Sequence, residues 1–160
     1  MQRPICPILT LLVDNEFGVL TRVSSQIRRE GWNIRSLAVA ETTDPSISRI
    51  TLSIECFDMT LPGVLFKLKR MQCVKSVTAY DPELCVCREL AVLRVTDADW
   101  AQCEALNARY GVRPLESFDN TRLFEVSASP EELSEYIDEL GTLGRVEAAR
   151  TGAITLEKRE

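Results

Sequence analysis

Histidine is absent from all 160 residues of the chain, and that absence excludes more chemistry than any other feature. Without an imidazole there is no Ser-His-Asp or Cys-His activation of a nucleophile, and none of the phosphohistidine chemistry that some βαββαβ proteins use. Apolar runs of membrane-spanning length are also missing. So is any excess of positive charge: 19 basic against 24 acidic residues leave a net charge of −5. Nucleic-acid binding is driven by phosphate neutralisation, and this balance has no footprint for it. Arg28-Arg29 and Lys67 to Arg70 are locally basic, but each falls on an amphipathic helical pattern and reads as a solvated face. Neither nucleic acid nor membrane is expected as a partner.

Met1-Gln2-Arg3-Pro4 leads into an apolar run broken by Pro7 and Thr10, with no small-residue cleavage site behind it. A strand is expected there rather than a signal peptide. The six cysteines are scattered, so reduced thiols in a cytoplasmic setting are the expectation. Cys85 and Cys87 form the single close pair. Zinc sites use four ligands, with C-x(2–4)-C spacing and often histidine, so no metal site is expected; the other thiols read as small buried hydrophobes. A content of 45% hydrophobic and 27% charged residues is enough apolar material for a globular core.

What is present is a regular succession of short elements. Ile5 to Val13 reads as a strand ending in the polar loop Asp14-Asn15-Glu16-Phe17-Gly18, with Asp14 or Asn15 expected to cap the next helix. From Gly18, Val19/Leu20, Val23 and Ile27 keep the helical period, and Gly31 supplies the stop. Trp32 to Ala40 is a second strand whose phase slips between Ile34 and Leu37, which predicts a bulge. After a turn at Thr42 to Ser46, Arg49 to Cys56 alternates cleanly, as an antiparallel strand with one face on a core does. A helix over Thr60 to Met71, with Pro62 in its first turn, and a strand over Val74 to Tyr80 complete a β-α-β-β-α-β unit. Asp81-Pro82-Glu83 marks a boundary.

The order then recurs: strand Glu89 to Val95, helix Ala98 to Arg109, strands Val112 to Phe118 and Arg122 to Ser127 around Asp119-Asn120, a capping-box helix from Ser129 to Gly141, and a last strand from Val146 to Leu156. The expected fold is α+β: two tandem ferredoxin-like βαββαβ domains, 4–80 and 86–158. Two helices cover one face of such a sheet, so the other face and the edges must be polar or covered by a partner. The apolar second strand, with Trp32, Ile34, Leu37 and Val39, together with the first helix, is the expected dimer interface. At Gly18 the backbone can approach a ligand, and the free amides and positive end of the following helix suit a carboxylate; the same pattern also serves as a plain helix cap, with Phe17 as a packing residue.

Taken together, Leu11 to Leu20 followed by Arg22-Val23 resembles the first loop and helix of an ACT domain. Gly31-Trp32-Asn33-Ile34-Arg35-Ser36-Leu37-Ala38-Val39-Ala40 resembles the G-[aromatic]-N-I-x-S-L-x-V stretch of acetolactate synthase small subunits. Thr43-Asp44-Pro45, Ser48 to Thr51, Arg88-Glu89-Leu90 and Arg150-Thr151-Gly152 continue the likeness, while Val112 to Glu116 and the tail from Leu156 depart from it. Pro114 in the first of these departures argues for an edge strand.

The resemblance implies a non-catalytic subunit, without a cofactor of its own, that partners a large catalytic subunit carrying thiamine diphosphate, magnesium and FAD. It implies activation of that subunit, feedback inhibition by a branched-chain amino acid, usually valine, and an effector held between two ACT domains of a homodimer. Carried over by position, Asn15, Phe17, Gly18, Val19 and Leu20 would form the effector loop, with Asn15 orienting the ligand's polar end. Ile34 and Ala40 would line the side-chain pocket from the neighbouring subunit. Two other readings fit a βαββαβ tandem. A stand-alone ACT protein controlling transcription would be expected to show a helix-turn-helix or basic arm, and a ferredoxin-like enzyme a phosphate cradle or histidine.

Overall fold

The computed structural model describes residues 6–56, 60–81 and 83–158. In chain order the elements are β1 (Ile8–Asp14), α1 (Val19–Arg29), β2 (Asn33–Glu41), β3 (Ile47–Glu55), α2 (Leu61–Lys69), β4 (Val74–Ala79), β5 (Cys85–Thr96), α3 (Trp100–Tyr110), β6 (Arg113–Phe118), β7 (Thr121–Ala128), α4 (Pro130–Leu143), β8 (Arg145–Arg150) and β9 (Ile154–Glu157). They form two compact units, Met1–Val86 together with Ala153–Glu160, and Cys87–Gly152.

In the first unit the antiparallel sheet runs β2-β3-β1-β4. Strand alternation sends Leu9, Leu11 and Val13 of β1 and Ile50, Leu52 and Ile54 of β3 to one face, where α1 sets Val19, Val23 and Ile27 against them and α2 adds Val64 and Leu68. Each of these side chains is almost fully withdrawn from water, and such burial stabilises by about 1.5–3 kcal/mol per residue. Gly31 takes φ 76°, the left-handed stop expected after α1. The bulge expected in the second strand falls between Ile34 and Ser36.

The other face of this sheet is closed by the protein's own tail. Thr78, Thr10 and Thr51 stand in one row across β4, β1 and β3. The Thr10 and Thr155 hydroxyls are hydrogen-bonded to one another, and Thr51, Cys85 and Thr155 are all buried. β9 pairs with β5, and Lys158 N donates to Leu84 O at 2.8 Å. This corrects the expectation of one terminal strand over 146–156. Gly152, at φ 80°, breaks it into β8 and β9, and the piece after the break belongs to the first unit.

The second unit has the same strand order, β6-β7-β5-β8. Pro114 lies on β6, an edge strand as expected, with a bulge between Pro114 and Glu116. Ser129 and Glu132 form the expected capping box. The expected stop at Gly141 is overturned: α4 continues through it to Leu143. Gly144, with extended backbone, is needed for space instead, since a Cβ there would sit 2.5 Å from the Ala98 Cβ. Across the described residues of both units, no helix is long and apolar enough to cross a membrane.

Candidate functional site

The loop between β1 and α1 is built around one asparagine. Asn15 N donates to Ser46 O at 2.8 Å. The Asn15 carboxamide donates to Pro45 O at 2.9 Å and to Glu41 Oε1 at 3.0 Å, and its oxygen accepts from the Ser48 hydroxyl at 2.9 Å. An amide NH₂ has two protons, and both are used. Asn15 thus ties the loop to the β2–β3 hairpin rather than capping α1. The turn it grips is itself held by Asp44, which accepts from the Ser46 hydroxyl at 2.7 Å and the Ser46 amide at 2.9 Å. Those two bonds keep the Asp44 carboxyl below its usual pKa.

The expected side-chain cap is not formed. Gly18 occupies the N-cap position at φ 79° with no side-chain hydrogen bond to the helix. Asp14 instead pairs with Lys75 at 2.6 Å, and that hydrogen bond and charge raise the Lys75 ammonium above its ordinary pKa, with a smaller push from Glu16. Val19 N donates weakly to Glu16 O at 3.3 Å, and Arg22 N to Gly18 O at 2.9 Å. Among the described residues, the amides of Gly18 and Leu20 have no backbone acceptor. Nothing lies within 4 Å of where a Gly18 Cβ would be. A shallow open hollow results, lined by Asn15, Glu16, Phe17, Gly18, Leu20 and Thr21.

Five of the seven candidate residues therefore sit on this loop and the first turn of α1, four of them lining the hollow. Phe17, at 106% relative exposure, packs against nothing and is not the packing residue its type suggests. Val19 turns its side chain into the core, so only its backbone faces the mouth. The remaining two candidates are on β2: Ile34 is half-buried and packs against its own unit's core, whereas Ala40 is exposed and lies opposite Arg49. Register explains the difference. Leu37, Val39 and Glu41 face the helix side, opposite Leu52, Ile50 and Ser48, while Ala38 and Ala40 face the threonine side.

β2 is an edge strand, so one row of its backbone groups has no partner within this sheet. Leu37 and Val39 on it and Leu20 on α1 are exposed large apolar side chains. Glu41 and Ser48, both bonded to Asn15, were missed in the sequence. The signal for Glu41 was there, two residues beyond Val39 on the same strand face, but polarity at a strand end is ordinarily a turn signal.

A βαββαβ unit with a glycine mouth at its first helix and its second strand at the sheet edge has the architecture of ACT domains, the class of small regulatory modules. Residues 9–76 match the family model for the AHAS small subunit-like ACT domain, and residues 88–159 match that for the small subunit of acetolactate synthase. The acetolactate synthase small subunit of Aquifex aeolicus is 30% identical over 94% of this chain and 80% of its own length. That of Mycolicibacterium smegmatis is 30% identical over 94% and 89% respectively. The crystal structure of the small subunit from Thermotoga maritima shares the fold, with a TM-score of 0.83 at 24% identity over 98% of this chain and 99% of that one. The chain belongs to the acetolactate synthase small subunit family. As a family member with an ACT domain, it has a regulatory role.

Proposed function

We propose that this chain is the non-catalytic regulatory subunit of an acetolactate synthase, activating a large catalytic subunit and conferring on it feedback inhibition by a branched-chain amino acid, valine. The catalytic partner carries the thiamine diphosphate, magnesium and FAD; this chain supplies none of them. Two copies join through β2 and α1, which brings the unpaired edge and the exposed Leu37, Val39 and Leu20 out of water. The effector's carboxylate sits on the open amides of Gly18 and Leu20, at the positive end of α1. Its branched side chain enters the apolar seam, where burial stabilises by about 1.5–3 kcal/mol. Asn15 contributes by holding the loop in place, and Ile34 and Ala40 by shaping the facing strand.

The observation that carries this reading is the uncapped mouth of α1 beside an apolar edge strand with one open side, in a chain of this family. Because the site lies at the seam, a ligand there favours one packing of the two copies over another. A coupling of about 1–3 kcal/mol changes affinity from several-fold to about a hundredfold. The test is reconstitution with the cognate large subunit, following acetolactate formation with and without this chain and with valine titrated in. Activation followed by valine-dependent loss of rate is expected. A rate indifferent to both the chain and the amino acid would overturn the assignment.

A further inference from the structure

We propose that Glu41 receives the ammonium group of the effector, so that the site reads a zwitterion and rejects the same carbon skeleton without its amino group. The inference rests on the effector site proposed above and names the group at that site that sets ligand class.

An α-amino acid brings two charges about one carbon apart. The amides at the mouth of α1 answer the negative one; the positive one needs an acceptor beside them. Two carboxylates lie close enough to consider. Glu16 is on the loop itself, but its charge already acts on Lys75, which is paired with Asp14. Glu41 ends β2 and is exposed. Its Oε1 lies 3.0 Å from Asn15 Nδ2, which places the carboxylate beside the first residue of the loop. A carboxylate offers about four acceptor positions, and the Asn15 bond uses one of them. Among the described residues no lysine or arginine pairs with Glu41, whereas Asp14, Glu30 and Glu55 of the same unit each have a cationic partner.

Register fixes where the rest of the ligand goes. Glu41 and Val39 project to the same side of β2, two residues apart. A ligand with its carboxylate on the loop and its ammonium at Glu41 therefore lays its branched side chain along Val39, toward Leu37. Polar orientation and apolar selection then come from a single strand face. A charge-assisted bond of this kind is about twice as strong as a neutral one, and a ligand lacking the ammonium leaves the carboxylate unanswered. The device separates an amino-acid end product from the 2-oxo acids of the same skeleton that precede it, which share its carboxylate and its side chain.

Calorimetric titration of the full-length protein with L-valine and with 3-methylbutanoate, its counterpart lacking the amino group, tests this. The wild type should prefer valine by tenfold or more. Glu41→Gln keeps an oxygen to accept from Asn15 but removes the charge; it should bind valine at least tenfold more weakly and 3-methylbutanoate no more weakly than the wild type does. Glu16→Gln should leave the preference in place. Unchanged valine affinity in Glu41→Gln, equal losses for both ligands, or loss of the preference in Glu16→Gln instead would each overturn the role of Glu41 while leaving effector binding intact. If the wild type binds valine, leucine and isoleucine no better than it binds glycine, the effector site itself fails, and this inference with it.

Discussion

The two units share a strand order and differ in what they do with the surfaces it leaves over. In the first, the face away from the helices is closed by β9 and the start of β5, while the edge strand β2 is proline-free and shows Leu37 and Val39. In the second, the edge strand β6 contains Pro114, which cannot donate to a neighbour and bulges the strand. The outer face of that sheet carries the exposed ion pairs Arg94–Glu147 and Arg113–Glu125. One topology thus yields a unit with an edge open to pairing and another with an edge protected against it. The difference lies in side chains and in one returning strand.

The largest way to break the comparison is to remove that strand. A chain ending at Gly152 loses the cover over the row Thr78, Thr10 and Thr51, and with it the burial of Ala153 and Thr155. A loss of about 3 kcal/mol is expected, read as a fall in melting temperature of roughly 6–12 °C. Hydrogen exchange should localise the loss to β1 and β4 and spare β6 and β7. Equal loss of protection in both units would mean that the tail does not belong to the first alone. Next in size is charge on the edge. Val39→Lys should weaken self-association by about a hundredfold, roughly 2.7 kcal/mol, in light scattering across a dilution series. Leu115→Lys on β6 should change nothing. If Leu115→Lys dissociates the protein and Val39→Lys does not, the roles of the two edges are reversed.

Much of this was legible in the chain itself. Period-2 runs such as Ile50, Leu52 and Ile54, and the 3.6 period of Val19, Val23 and Ile27, fix a buried face by themselves, and each is in the core. The β2 bulge and the β6 edge were legible because a phase slip and a proline are local. What was not legible depends on distant partners. The cap expected from Asp14 or Asn15 is absent because each side chain has a better partner far along the chain, Lys75 for one and the β2–β3 hairpin for the other. Leu156 reads as the end of a strand begun at Val146, and only the return of the chain to Thr10 shows otherwise. The site was half legible: the glycine mouth is a local signature, but Glu41 joins it only through a hydrogen bond spanning 26 positions.

Glycines sharpen the contrast at a smaller scale. Gly144 in the second unit is there for space, with the Ala98 Cβ 2.5 Å from any added Cβ and the Thr96 carbonyl at 3.1 Å. Gly18 in the first is there for its backbone angle, φ 79°, with open space around it. Gly144→Ala should therefore cost about 2–3 kcal/mol through forced backbone movement, and Gly18→Ala about 1–2 kcal/mol through left-handed strain. The rescues differ too. Ala98→Gly should recover part of the first loss. Gly18→Asn should cost less than Gly18→Ala, since asparagine tolerates that conformation. Rescue of Gly144→Ala failing in urea titrations would mean that the backbone contacts, the Ala98 Cα at 2.8 Å and the Thr96 carbonyl at 3.1 Å, rather than the Ala98 Cβ, set the loss.

The smallest expected effect concerns pH and sits in the second unit. Tyr136 lies on the buried face of α4, fully withdrawn from water, and donates to Asn107 Oδ1 at 2.6 Å. Burial raises its phenol pKa strongly, with a smaller push from Cys103, whose own thiol is raised by burial. A raised pKa means that the folded state holds its proton where the unfolded chain, with a tyrosine near 10, has released it. Stability from this group is complete below about pH 10 and is lost as the pH rises beyond it, as the linkage relation requires. Tyr136→Phe should cost about 1 kcal/mol at neutral pH, the worth of its hydrogen bond. The variant should also flatten the decline above pH 10, leaving the parts that belong to the raised Cys103 thiol and the raised Lys75 ammonium. Urea midpoints of the wild type and Tyr136→Phe measured from pH 7 to 11 read both numbers. Parallel curves would show that Tyr136 ionises in the folded protein as readily as in the unfolded chain, and that its cover is not closed to water.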